Sequence, residues 1–118
     1  MISGRCHCGD VQWTTPAWPE WVTICNCSYC RKAGAQWGEV DPNSTEMVSE
    51  IPQERYIFGD KTLIIHRCNT CGITTHWSTL DPEAPQRMKI NFSTLNGDLP
   101  ESIPIRHFDG ADSWQYLD

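Results

Sequence analysis

Apolar residues along this chain come in short runs of strand length, and none of them continues into an extended helical period. Residues 11–15, 21–25, 54–58, 62–67, 73–78 and 88–93 are rich in Ile, Thr, Tyr and Trp. Turn residues such as Gly59-Asp60, Asp81-Pro82 and Asn96-Gly97 separate them. Such runs with such punctuation predict β-strands. Thr62-Leu-Ile-Ile-His-Arg67 is apolar enough at its centre to be buried on both faces. One or two helical turns are expected over Ser28–Ala33, with Ser28 as the N-cap. Eight prolines cut the remainder into pieces too short for long helices. The chain therefore reads as mainly β.

At 118 residues the expectation is a single domain over residues 1–118. Its core is modest, so a metal that ties distant segments together would add useful stability. Six scattered tryptophans suit core and pocket walls better than an aromatic cage. The formal net charge is −6, and residues 98–118 carry five acidic side chains against one arginine. That balance argues against a nucleic-acid partner, because phosphates need clustered Lys and Arg. The opening Met-Ile-Ser-Gly-Arg-Cys has no apolar h-region, and no run nears the ~20 apolar residues of a membrane span. The expected setting is the cytoplasm, where close cysteines are more often metal ligands than disulfides. A redox-sensing thiol cluster is the competing use of the same residues.

Seven cysteines fall in three groups: Cys6 and Cys8; Cys25, Cys27 and Cys30; Cys68 and Cys71. Thiolates one or two residues apart can meet one zinc ion. The odd total would leave a thiol over in a disulfide framework, whereas a four-plus-three division makes one closed metal site and one with a free position. Gly9 and Gly72 each follow the second cysteine of a pair, where a metal knuckle needs positive φ. Cys6, Cys8, Cys68 and Cys71 form a complete four-thiolate set. Joining them closes a loop of about sixty residues, at an entropy cost of a few kcal/mol. Structural zinc contributes roughly 10–16 kcal/mol in small peptides, which exceeds that cost. Cys25, Cys27 and Cys30 leave the fourth position for water or a substrate thiol, unless His7, His66, His76 or His107 closes the site.

Three stretches, Gly4-Arg-Cys-His-Cys-Gly9, Cys25-Asn-Cys-Ser-Tyr-Cys-Arg-Lys-Ala-Gly34 and His66-Arg-Cys-Asn-Thr-Cys-Gly72, resemble the glutathione-dependent formaldehyde-activating enzyme family. This is also called the aldehyde-activating or centromere-protein-V-like family. Ile90-Asn-Phe-Ser-Thr-Leu95 resembles its later strand and turn. The resemblance implies an Mss4-like β-tent of packed antiparallel sheets with zinc knuckles. It implies structural zinc on Cys6, Cys8, Cys68 and Cys71, and a catalytic, more labile zinc on Cys25, Cys27 and Cys30. The implied activity is a carbon–sulfur lyase acting in the synthetic sense, with glutathione and formaldehyde giving S-hydroxymethylglutathione. Arg67 stands where an aromatic is common in relatives.

The expected partners are thus a small thiol and a small aldehyde. Arg31 and Lys32, just after the ligand run, are placed to attract an anionic thiol. His66 and His76 bracket the last cysteine pair and are candidates for moving a proton. The alternatives are a non-catalytic zinc module that binds a protein, or a zinc store.

Overall fold

The β-branched and aromatic runs extend as expected, and four further strands join them. The computed structural model describes all 118 residues. In chain order the strands are β1 (Ile2–Arg5), β2 (Gln12–Thr15), β3 (Val22–Cys25), β4 (Trp37–Val40), β5 (Glu46–Val48), β6 (Glu54–Tyr56), β7 (Leu63–Arg67), β8 (Thr74–Thr79), β9 (Met88–Asn91) and β10 (Ile105–Phe108). A helix, α1 (Ser28–Ala33), follows β3, and a 3-10 turn, Phe92–Thr94, follows β9. The small sheet runs β1-β2-β5 and the large one β10-β3-β4-β9-β8-β7-β6. Every pairing is antiparallel except β3 with β10, which run parallel in the register Phe108 opposite Cys25.

The two sheets meet through Trp13, Val22, Val40, Ile90 and Phe92. Trp13 fills the centre, its indole N–H donating to Thr94 Oγ1 at 2.9 Å, so that its polar atom is satisfied in an apolar setting. The Trp13 and Phe92 rings pack edge to face at 5.3 Å. Two strand glycines make this contact possible. A Cβ on Gly4 would lie 2.4 Å from the Trp13 ring, and one on Gly38 2.4 Å from the Phe92 ring. The expected aromatic distribution holds only in part. Trp13, Trp37 and Trp77 are buried, but Trp18 and Trp114 are exposed.

Asn91 ends β9 and organises the turn after it. Its side-chain oxygen accepts from the peptide N–H of Gln36 and of Ser93, and its amide donates to Thr74 C=O at 2.9 Å. The 88–93 run therefore breaks two residues early, where this amide replaces the strand ladder. In β7, Ile64 and Ile65 are both buried, as its apolar centre requires. Arg67 lies on the surface, paired across β6 with Glu54 at 2.6 Å. A pair so exposed contributes little stability.

His66 and His76 oppose one another across β7 and β8 with parallel rings 4.0 Å apart. His66 Nε2 lies 2.7 Å from Ser78 Oγ, and His76 Nδ1 lies 2.9 Å from Thr75 Oγ1. Burial lowers both rings' pKa, His66 to about 4 with help from Arg55, and His76 to about 3 with help from His66. The folded value for His76 lies below the unfolded 6.5. As pH falls through 6.5, the unfolded chain takes up a proton that the fold refuses, so stability is full above that pH and declines below it. The imidazole NMR signals of His76 should stay those of a neutral ring down to about pH 5. A titration midpoint near 6.5 would contradict this burial.

Candidate metal centres

Each cysteine group occupies a connection between antiparallel neighbours: β1 to β2, β3 to β4, and β7 to β8. The first and last connections are built alike. Cys6 N–H donates to Val11 C=O at 3.0 Å, and Cys68 N–H donates to Ile73 C=O at 2.9 Å. Gly9 and Gly72 take φ of 86° and 77°, and their N–H groups donate back to the carbonyls of Cys6 and Cys68. The N–H groups that reach sulfur belong to other residues, Val11 to Cys6 at 3.3 Å and Cys71 to Cys68 at 3.5 Å.

These two tips bring Cys6, Cys8, Cys68 and Cys71 together, their four sulfurs all within 4.8 Å of one another. Cys8 Sγ is 3.6 Å from both Cys6 Sγ and Cys68 Sγ. A tetrahedral zinc with sulfur bonds near 2.3 Å places its ligands about 3.8 Å apart, so the set fits. None of the seven cysteines is in a disulfide. Cys6 and Cys68 are buried against Val11, which shields the group from water on that side.

Cys25, Cys27 and Cys30 form the second group, and no imidazole or carboxylate joins it. Cys25 ends β3, Cys27 begins the turn, and Cys30 lies inside α1. The helix is capped by Cys27 rather than by Ser28. Its backbone is extended (φ −61°, ψ 163°), and its sulfur accepts from Cys30 N–H at 3.3 Å. The ligand turn thus fixes where the helix starts. Gly34, at φ 66°, ends it.

Donors surround the three sulfurs. Cys27 N–H points to Cys25 Sγ at 3.4 Å, and the Trp37 indole N–H to Cys30 Sγ at 3.3 Å. The Cys25 pKa is lowered to about 5, first by a hydrogen bond from Cys30; burial opposes this, and the N–H groups of Cys27 and Gly110 add to it. Cys30 is pushed up by the same shared proton and by burial. Cys25 and Cys30 are coupled through that hydrogen bond, and a divalent cation is what would let neighbouring thiols ionise together.

The segment after β10 closes over this group. Asn26, between the ligands, donates from Nδ2 to Asp109 Oδ1 and accepts from Ala111 N–H, both at 3.0 Å. Gly110 sits so close that a Cβ there would be 2.6 Å from Cys25 Sγ. Beside the group is a cavity of about 600 Å³ whose lining includes Cys25, Cys30, Arg31, Phe108, Leu117 and His107. Lys32 and the His66–His76 pair do not line it. The imidazole at this cavity is therefore His107 rather than either of the two that bracket the last cysteine pair. Gly110, Trp37 and Asn26 escaped the sequence reading. The Asp109-Gly110 dipeptide, a turn signal the reading passed over, is the local feature that could have pointed to the region.

The sequence model of the glutathione-dependent formaldehyde-activating enzymes matches residues 1–108. The chain belongs to that family. A crystal structure of a Rhodobacter sphaeroides protein is similar to it, with 28% identity, a TM-score of 0.70, and coverage of 87% of this chain and 98% of that one. No curated protein matches the sequence. The segment 109–118, which supplies Gly110 and Leu117 to the second cysteine group and its cavity, lies beyond the residues matched by the family's model.

Two metal equivalents are expected on titration with cobalt(II), read from the thiolate-to-metal absorption bands. Cys68→Ser should lose one of them and much of the thermal stability. Cys27→Ser should lose the other with a much smaller fall in melting temperature. Full metal content and unchanged melting in Cys68→Ser would contradict the four-sulfur centre.

Proposed function

We propose that this chain is a zinc enzyme that adds a small, glutathione-like thiol to a small aldehyde such as formaldehyde, giving an S-hydroxymethyl adduct. In the reverse direction this is a carbon–sulfur lyase. The observation that carries the reading is a three-cysteine group with no fourth protein ligand, beside a cavity large enough for a tripeptide thiol. Family membership supports the same chemistry. Zinc fits both groups because thiolates are its preferred ligands: four of them fill its tetrahedral shell, and three leave one position for a water or a thiol. In this reading Cys6, Cys8, Cys68 and Cys71 hold a structural ion and Cys25, Cys27 and Cys30 a catalytic, more labile one, in a cytoplasm that keeps thiols reduced. A zinc ion held by three ligands supplies, when bound, a position at which an incoming thiol gives up its proton near neutral pH.

The protein's own groups do the rest. The N–H donors of Trp37, Cys27 and Gly110 draw charge from the cysteine sulfurs, which keeps the site from being too electron-rich to accept another. Arg31, exposed in the last turn of α1, places a positive charge on the cavity lining for an anionic thiol. Ile24, Phe108 and Leu117 give the lining an apolar side. Formaldehyde already reacts readily with thiols, so holding both reactants together suffices; proximity contributes at most ~7–11 kcal/mol.

A non-catalytic binding module is the competing reading. One observation favours it: Tyr29, Tyr56 and Phe58 stack with ring centroids 5.4 to 5.8 Å apart, and Tyr56 and Phe58 are exposed. The two readings separate in one assay. Exchange NMR of thiol and formaldehyde should show faster adduct formation with the zinc-loaded protein than with buffer. Cys27→Ser should abolish that gain, and Tyr56→Ser should leave it intact. Wild-type rates in Cys27→Ser would rule out catalysis at these cysteines.

A further inference from the structure

We infer that His107 is the acid–base residue of this site and that Asp118 positions it. The inference rests on the thiol–aldehyde reading above. It assigns the proton transfer that the cysteines and Arg31 leave without a carrier. His107 lines the same cavity as Cys25 and Cys30, which puts an imidazole and the sulfurs on one site. Its Nδ1 is 2.7 Å from Asp118 Oδ2, which leaves Nε2 as the ring atom free to exchange protons.

The carboxylate is held in place from several directions. His107 N–H donates to Asp118 Oδ1 at 2.7 Å. Arg106 donates from Nε and Nη2 to the Asp118 main-chain oxygen at 3.1 and 2.9 Å. The Arg106 guanidinium is itself stacked against Tyr116 at 4.1 Å and Trp21 at 4.7 Å. Leu117 N–H donates to His107 C=O at 2.8 Å, so the tail runs back along β10. Hydrogen bonds from the His107 peptide N–H and then its ring hold the Asp118 carboxyl below its usual range. The charged and titratable groups around the imidazole are therefore Asp118 and Arg106 on one side, with Arg31, Cys25 and Cys30 around the cavity. With the Asp118 carboxylate accepting from Nδ1–H, Nε2 is the ring nitrogen left for a substrate.

The step balances without any redox partner. The thiol proton passes to Nε2, and the sulfur lone pair forms the C–S bond. The C=O π pair moves onto oxygen, and Nε2–H returns the proton to that oxygen. Thiol plus aldehyde becomes the S-hydroxymethyl adduct, and the imidazole ends as it began. The reverse sequence cleaves the adduct. Asp118 lies outside the residues matched by the family's model, so this pairing is argued from this chain alone.

The test joins kinetics to a reading independent of turnover. Nitrogen-15 NMR should find the His107 proton on Nδ1, and Asp118→Asn should move the population toward the Nε2–H tautomer. His107→Ala should slow adduct exchange by about 10²-fold, in the range usual for a positioned acid–base group, with added imidazole restoring part of the rate. Asp118→Asn should lower the rate less and shift its pH profile. Wild-type kinetics in His107→Ala, while Cys27→Ser is inactive, would overturn this inference and leave the proposed function standing. An Nε2–H tautomer in the wild type, or no rescue by imidazole, would also overturn it. A wild type no faster than buffer would overturn both.

Discussion

Four sulfur atoms from turns about sixty residues apart converge within 4.8 Å, and the placing of the two sheets depends on that meeting. Thiolates at such distances repel one another too strongly to ionise together without a cation. A divalent ion held there would turn that repulsion into a cross-link in a molecule whose shared core is five buried residues. Because one pair of cysteines lies at the tip of the β1–β2 hairpin and the other at the tip of β7–β8, an ion held by all four would join the small sheet to the large one. Gly4 and Gly38 then let Trp13 and Phe92 fill the space between them. A metal there would constrain the same geometry that this core constrains.

The second cysteine group depends on a different constraint, the parallel pairing of β10 with β3. That register sets Phe108 beside Cys25 and carries the chain directly over the three sulfurs. Asn26 anchors the returning tail through two hydrogen bonds, Gly110 fits where a side chain would not, and Arg106 holds the last residues against Trp21 and Tyr116. The covering of these cysteines and the imidazole at the cavity lining both follow from the one strand that runs against the general order of the sheet.

The cysteine groups were legible in the sequence because ligand spacing is a local property. So were α1 and the knuckle glycines, whose positive φ the turns require. Strands β1, β4, β5 and β10 were not. Ile-Ser-Gly-Arg and Trp-Gly-Glu-Val carry glycines that strand propensity discounts, and those glycines are there to admit aromatic rings from distant parts of the chain. The shift of the helix cap from Ser28 to Cys27 escaped for a related reason: a sulfur committed to a ligand turn outcompetes a hydroxyl with a better general propensity. The His107–Asp118 pair joins residues eleven apart through a turn whose course only the tertiary structure reveals.

The central claim is that one metal position is closed by protein sulfur and the other is not. X-ray absorption fine structure at the zinc edge of the fully loaded protein tests it most directly. The account predicts about 3.5 sulfurs per zinc, the mean of a four-sulfur and a three-sulfur site, with a light atom making up the remainder. That value should rise toward four when a small thiol is added to saturation. Four sulfurs per zinc before any thiol is added, or a spectrum that thiol leaves unchanged, would contradict it.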